Sequence, residues 1–284
     1  MEVLEASLLL DGLQYAEGPR WDGESLWLSD IFARKVLCIS PAGEVTTAGE
    51  TPERPSGIGF LSNGNAVVVS MPDRRLMEIN RQDQSVTEYA DMSAVTPFEC
   101  NDMVFYDGRA YVSTFGFDLF GGAERAPAPL VMVDRDRTAS VAFEGLDFPN
   151  GMVVDSTTGR LIVAETRGAR LTAFQILPDG KLKHDGVFAE VPDSTPDGIS
   201  LDAEGAIWMG SAQHAEFLRV REGGEVTHRV PVPGHWAQAC MLGGPDRQTL
   251  FMLTATTTYE NWLLEKSQSE VRTVHVDVPG AGVP

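Results

Sequence analysis

The 284-residue sequence predicts an all-β fold: a single six-bladed β-propeller over residues 1–284, its ring closed by the N-terminal strand. Three observations predict it. One segment pattern recurs along the chain. Each copy sets a glycine-bearing turn between two short apolar runs. Helical periodicity is nearly absent.

The clearest copies are SGIGFLSNGNAVVVS (56–70), CNDMVFYDGRAYVST (100–114), NGMVVDSTTGRLIVAET (150–166) and DGISLDAEGAIWMGS (197–211). EGPRWDGESLWLSD (17–30) is a fainter copy and QACMLGGPDRQTLFMLT (238–254) the weakest. Asn63-Gly64, Asp107-Gly108, Thr158-Gly159 and Glu204-Gly205 are hairpin signals, because glycine enters the left-handed region without a Cβ clash. A third run follows each of the four clear hairpins, as in 76–80, 130–134, 171–176 and 217–221. A fourth follows at 86–90, 140–145, 186–191 and 225–230. Four strands repeated every ~40–50 residues describe a propeller blade. Only 259–268 could form a helical turn or two. The sixth repeat has a third strand at 271–278 but little chain after it, so EVLEASLLL (2–10) is expected to supply its outer strand and remove an open edge.

Composition narrows the function classes. Lys and Arg total 22 against 41 Asp and Glu, a net charge of −19, which repels phosphate backbones and argues against nucleic acid as a partner. No apolar run is long enough to span a membrane, and the N-terminus lacks the pattern of a signal peptide, so a cytoplasmic location is expected. Cys38, Cys100 and Cys240 have neither metal nor redox spacing and read as reduced thiols; Cys100 and Cys240, near blade starts, could face the channel.

Polar residues at the starts of inner strands converge on the channel of a propeller. Here they are Glu17, Ser56, Asn101, Asn150, Asp197 and Gln238. Two carboxylates would meet there with no Lys or Arg at the equivalent position of any blade. Buried charge needs a partner, and a bound divalent cation supplies one. An all-oxygen donor set suits calcium, magnesium or manganese, and zinc also takes carboxylates.

AEGPRW (16–21), NDM (101–103), FPNGMVVD (148–155) and PDGISLD (196–202) resemble the blade-start motifs of the senescence marker protein, gluconolactonase and luciferin-regenerating enzyme family. The resemblance spans nearly the whole chain. It implies a six-bladed propeller with one divalent metal held by Glu17, Asn150 and Asp197, and a substrate contact at Asn101. Sugar-lactone members often carry an arginine two residues before that asparagine. Here the position is Glu99, which lacks the forked donor geometry of a guanidinium and argues against a sugar lactone.

Two long segments, 116–129 in blade three and 256–268 in blade six, are expected over the channel mouth. They bring Phe117, Leu119, Phe120, Tyr259, Trp262 and Leu263, with Phe115, His235 and Trp236 nearby. His214, in a short loop of blade five, could also reach the substrate; His184, His228 and His275 read as packing residues. The site therefore predicts a metal-dependent lactonase or esterase-type hydrolase acting on a small molecule, one more apolar or aromatic than a sugar lactone. The metal would polarise the carbonyl, Asp197 would take a proton from water, and Asn101 would orient the reactants. No G-x-S-x-G elbow supports a serine nucleophile. An isomerase or cyclase using the same site is the alternative enzyme, and a calcium-binding regulatory propeller the non-enzymatic one. A deep pocket ending at the metal favours catalysis; a flat, sealed face favours binding.

Overall fold

The computed structural model describes residues 1–282 and contains six antiparallel sheets arranged as propeller blades. Blade one comprises Ala16–Trp21, Leu26–Asp30, Lys35–Ile39 and Val45–Glu50, from the channel outward. Blades two to five begin with inner strands Pro55–Phe60, Cys100–Tyr106, Pro149–Asp155 and Pro196–Leu201. Blade six runs Trp236–Gly243, Thr249–Thr256 and Gln268–His275.

The ring closes as the sequence predicts. Ser7–Leu13 pairs antiparallel with Gln268–His275 as the outer strand of blade six. Sequence patterning did not reveal a second seam. Glu2–Val3 adds a short parallel strand to the outside of blade five, opposite His228 and Arg229. At the other end of the chain, Ala281 donates its amide to the Leu201 carbonyl at 2.9 Å. It lines a small void at the lower end of the channel with Arg20, Met152, Ile199 and Met241.

Apolar side chains fill the spaces between neighbouring blades. Val104, Tyr111, Met152, Val163 and Phe174 form one such cluster; Trp208, Phe217, Cys240, Leu250 and Met252 form another. Strands buried on both faces read as continuous apolar runs, as in AVVVS and RLIVAE. The three cysteines are free thiols. Cys100 and Cys240 are packed inside blades and do not line the upper cavity.

The inner strands share one irregularity. In every blade the pairing register shifts at the polar blade-start residue: between Glu17 and Arg20, Pro55 and Ile58, Cys100 and Met103, Pro149 and Met152, Pro196 and Ile199, and Ala237 and Ala239. Such bulges free a residue from the ladder and re-aim its side chain. In four blades a glycine follows the floor residue, at 18, 57, 151 and 198, and it has its own cause. A Cβ on Gly198 would stand 2.2 Å from the Ala239 Cβ, and one on Gly151 would stand 2.6 Å from the Asp197 carbonyl oxygen. The N-G and D-G dipeptides therefore mark the closest approach of one blade to the next, with the polar side chain turned into the channel beside it.

Candidate metal centre and cavity

The six polar side chains surround the upper channel in two runs of contacts, Ser56 to Asp197 and Gln238 to Glu17. Ser56 Oγ donates to Asn101 Oδ1 at 3.4 Å, and Asn101 Nδ2 donates to Asn150 Oδ1 at 2.9 Å. Asp197 stands next to the Asn150 amide. Gln238 Nε2 lies 3.5 Å from Glu17 Oε1 and donates to the Ala16 carbonyl at 3.1 Å. Asn150 is fixed from behind: its Nδ2 donates to Thr166 Oγ1 at 3.2 Å, and Thr166 in turn donates to the Pro196 carbonyl at 2.6 Å.

The electrostatics of this ring are unfavourable for two ionised acids. Burial, reinforced by the Asp102 charge, pushes the Glu17 carboxyl up to about 8. Burial and the Glu17 and Asp102 charges raise the Asp197 carboxyl well above its usual range, opposed only by the Asn150 amide. One buried cation does lie near. Arg20 sits three residues beyond Glu17, but its guanidinium is held by Asp102 Oδ1 at 3.0 Å, with both side chains nearly fully buried. That pair neutralises itself and leaves Glu17 and Asp197 without a cation of their own. Among the described residues no three His, Cys, Asp or Glu side chains cluster; the donor set here is two carboxylates and amide oxygens. Such a set fits one hard divalent ion.

The ring is the floor of a cavity with about 690 Å³ of empty space up to its open mouth. Its walls follow the repeat. Two residues before each floor position stand Tyr15, Arg54, Glu99, Phe148, Thr195 and Trp236. The carbonyls of Tyr15, Arg54, Glu99, Phe148 and Thr195 each accept the amide of the residue just past the second strand of the same blade: Ile31, Met71, Phe115, Thr166 and Ala212. Tyr15, Phe148 and Trp236 line the cavity, as do all five of those amide donors. The two long segments complete it with Leu119, Tyr259 and Trp262. Tyr259 and Trp262 lie on the short helix Tyr259–Leu263, capped by the Thr258 side chain. Trp262 stacks on Phe120, ring centroids 5.0 Å apart, which joins the two segments into one lid.

Of the residues expected at the substrate, Asn101, Phe115 and Trp236 line the cavity. Glu99, Phe117, His214 and His235 do not. Glu99 is turned aside by Arg54, whose Nη2 lies 2.9 Å from both carboxylate oxygens. Phe117 is buried against Phe148, centroids 6.0 Å apart. His214 ends a 3₁₀ turn within 3.4 Å of Thr195 Oγ1. His235 is drawn outward by Thr256 at 3.2 Å and Glu270 at 3.6 Å. Sequence reasoning missed Tyr15, Ile31, Met71, Phe148, Thr166, Arg167, Ala212 and Gln213. Most were findable from the repeat, since they occupy two further blade-equivalent positions.

Known proteins agree with this architecture. Residues 15–256 match the model of the SMP-30/gluconolactonase/LRE-like region. A pentonolactonase from Haloferax volcanii is 26% identical over 253 residues, covering 84% of this chain and 81% of its own. A luciferin-regenerating enzyme superposes with a TM-score of 0.81 at 17% identity, covering 96% of this chain and 95% of its own. A structure described as a calcium-binding protein, regucalcin, from Agrobacterium tumefaciens gives 0.78 at 18% identity, covering 98% of each chain. The blade repeat, the bulged inner strands and this match together place the chain in the SMP-30/gluconolactonase/LRE-like family.

Proposed function

We propose that this protein is a metal-dependent hydrolase of a lactone or related cyclic ester, with a substrate more apolar or aromatic than a sugar lactone. One observation carries the reading: two buried carboxylates lacking a cation of their own form the floor of a cavity walled by aromatic side chains. Family membership and the pentonolactonase relative support the reaction class. An open cavity above the floor, in place of a flat, sealed face, favours catalysis over a binding role.

Glu17, Asn150 and Asp197 would hold the cation, with calcium favoured by the all-oxygen donors. When bound, it supplies Lewis acidity at the ester carbonyl and charge to offset the developing oxyanion. The remaining chemistry belongs to side chains. Asp197, on the cavity floor, takes a proton from the attacking water. The water oxygen adds to the carbonyl carbon, the ring C–O bond breaks, and that proton passes to the leaving alcohol. Asn101, tied to Asn150, orients the carbonyl. Phe115, Phe148, Trp236 and Trp262 exclude bulk water and hold the apolar body of the substrate.

The test is a panel of aliphatic, aromatic and sugar lactones, assayed before and after chelation and with Asp197→Asn. Full turnover by the chelated enzyme or by the variant would sink the mechanism. A preference for sugar lactones would sink the substrate class.

A further inference from the structure

We propose that the cavity carries an anion subsite at Arg167, and that the substrate bears a carboxylate at the end remote from the ring that opens; the substrate class rests on the lactonase reading. Arg167 is the only Lys, Arg or His among the cavity-lining residues. Its neighbours explain why it is free. The two carboxylates closest in sequence and blade position are Asp147 and Glu165. Asp147 is ion-paired with Arg125, and Glu165 with Arg170 at 2.7 Å. Glu99 is likewise taken, by Arg54. Among the described residues Arg167 forms no ion pair, in a chain with 41 acidic residues to offer one.

Arg167 is exposed at the cavity mouth, and its backbone is anchored by its neighbours. It follows Thr166, whose amide donates to the Phe148 carbonyl at 3.0 Å and whose hydroxyl supports Asn150. Its guanidinium carbon lies 5.9 Å from the centre of the Phe148 ring, within reach of a cation–π attraction along the cavity wall. A guanidinium presents a planar fork that matches a carboxylate in two hydrogen bonds. The floor and this fork bracket the aromatic wall. A ligand spanning them has an ester at one end, an apolar or aromatic body, and an anion at the other.

Two matched aryl lactones test this, one with a remote carboxylate and one with the carboxamide in its place. The wild-type enzyme should prefer the carboxylate by about tenfold in kcat/KM, mostly through KM. In Arg167→Met the ratio should fall to about one, and Arg167→Lys should retain part of it. Equal use of both lactones by the wild type, or an unchanged ratio in Arg167→Met, overturns the proposal. If neither lactone is hydrolysed, the lactonase reading is what fails, and the subsite is read without turnover. Trp236 and Trp262 line the cavity and report binding by fluorescence quenching. On chelator-treated protein the aryl carboxylate should then bind about tenfold more tightly to the wild type than to Arg167→Met, with no such gap for the carboxamide. Equal binding overturns the subsite.

Discussion

Both carboxylate oxygens of Glu99 accept from one nitrogen of Arg54, each at 2.9 Å, and the same guanidinium lies 4.0 Å from the centre of the Phe120 ring. Arg54 also reaches Glu265 at 3.9 Å, at the end of the other lid segment. One side chain of blade two thus clamps both halves of the lid. Replacing it with methionine removes the clamp and leaves Glu99 half-buried and unpaired. Arg54→Met should lose about 2 kcal/mol of stability and speed amide exchange across 117–123 and 259–266. KM should rise several-fold, with a smaller effect on kcat. Exchange confined to blade two would show that Arg54 serves only its own blade.

The floor carboxylates should respond to the cation in opposite ways. With the ion removed, Glu17→Gln and Asp197→Asn should each raise the melting temperature, since each removes an acid whose ionisation burial opposes. With the ion present, both should bind it at least tenfold more weakly, and Asp197→Asn should lose about 10²-fold or more in kcat. Calorimetric titration with calcium beside thermal melts separates the two effects.

Burial of these two carboxyls, reinforced by the acidic charges around them, sets a pH dependence for the chelated protein. The Glu17 carboxyl is raised from the ordinary 4.5 to about 8 on folding, so the folded state holds its proton more tightly than the unfolded chain. Stability is then greatest below about pH 4.5 for this group and falls as pH rises toward 8. Asp197, raised for the same reason, adds in the same direction. Saturating calcium should flatten or reverse the slope over that window. Melting curves at successive pH values, with and without calcium, check it.

Gly198 offers a test of how the floor is positioned. A methyl group there would meet the Ala239 side chain at 2.2 Å, so blades five and six would be forced apart. Gly198→Ala should destabilise by about 1–3 kcal/mol and weaken calcium binding beyond what the stability loss explains, because Asp197 moves with the backbone. The surface turn glycine Gly205, at φ 78°, has open space around it, so alanine there strains the turn without touching the floor and serves as the control. Gly205→Ala should leave calcium binding unchanged.

Much of the fold was legible because each blade spells its first hairpin with the same tokens: a polar residue, an apolar run, a glycine turn, a second apolar run. The floor was legible for a related reason. In four of the six blades the bulged residue is followed by a glycine, at 18, 57, 151 and 198, and that glycine flags the residue before it; Asp102 and Ala239 stand there in blades three and six. The walls were harder to read. Tyr15, Arg54, Glu99, Phe148, Thr195 and Trp236 occupy one repeat position, yet the first five share only a backbone role, and backbone hydrogen bonds leave side-chain chemistry free. Glu99 shows the consequence. Its partner Arg54 lies 45 residues away, on the neighbouring blade, so the sequence near Glu99 gives no sign that its charge is already matched. The two-residue strand Glu2–Val3 was too short to carry any pattern at all.

The pairing of Ser7–Leu13 with Gln268–His275 also makes the site a late product of folding. Glu17 emerges early in synthesis, but Gln238, its neighbour on the adjoining blade, belongs to the last blade. No proper subset of consecutive blades brings Glu17, Asn150 and Asp197 around a closed channel. A cation held as proposed would therefore act as a clasp. It rewards only the chain whose two ends have met, and a nick or truncation that releases the N-terminal strand should be felt first as leakage of the ion.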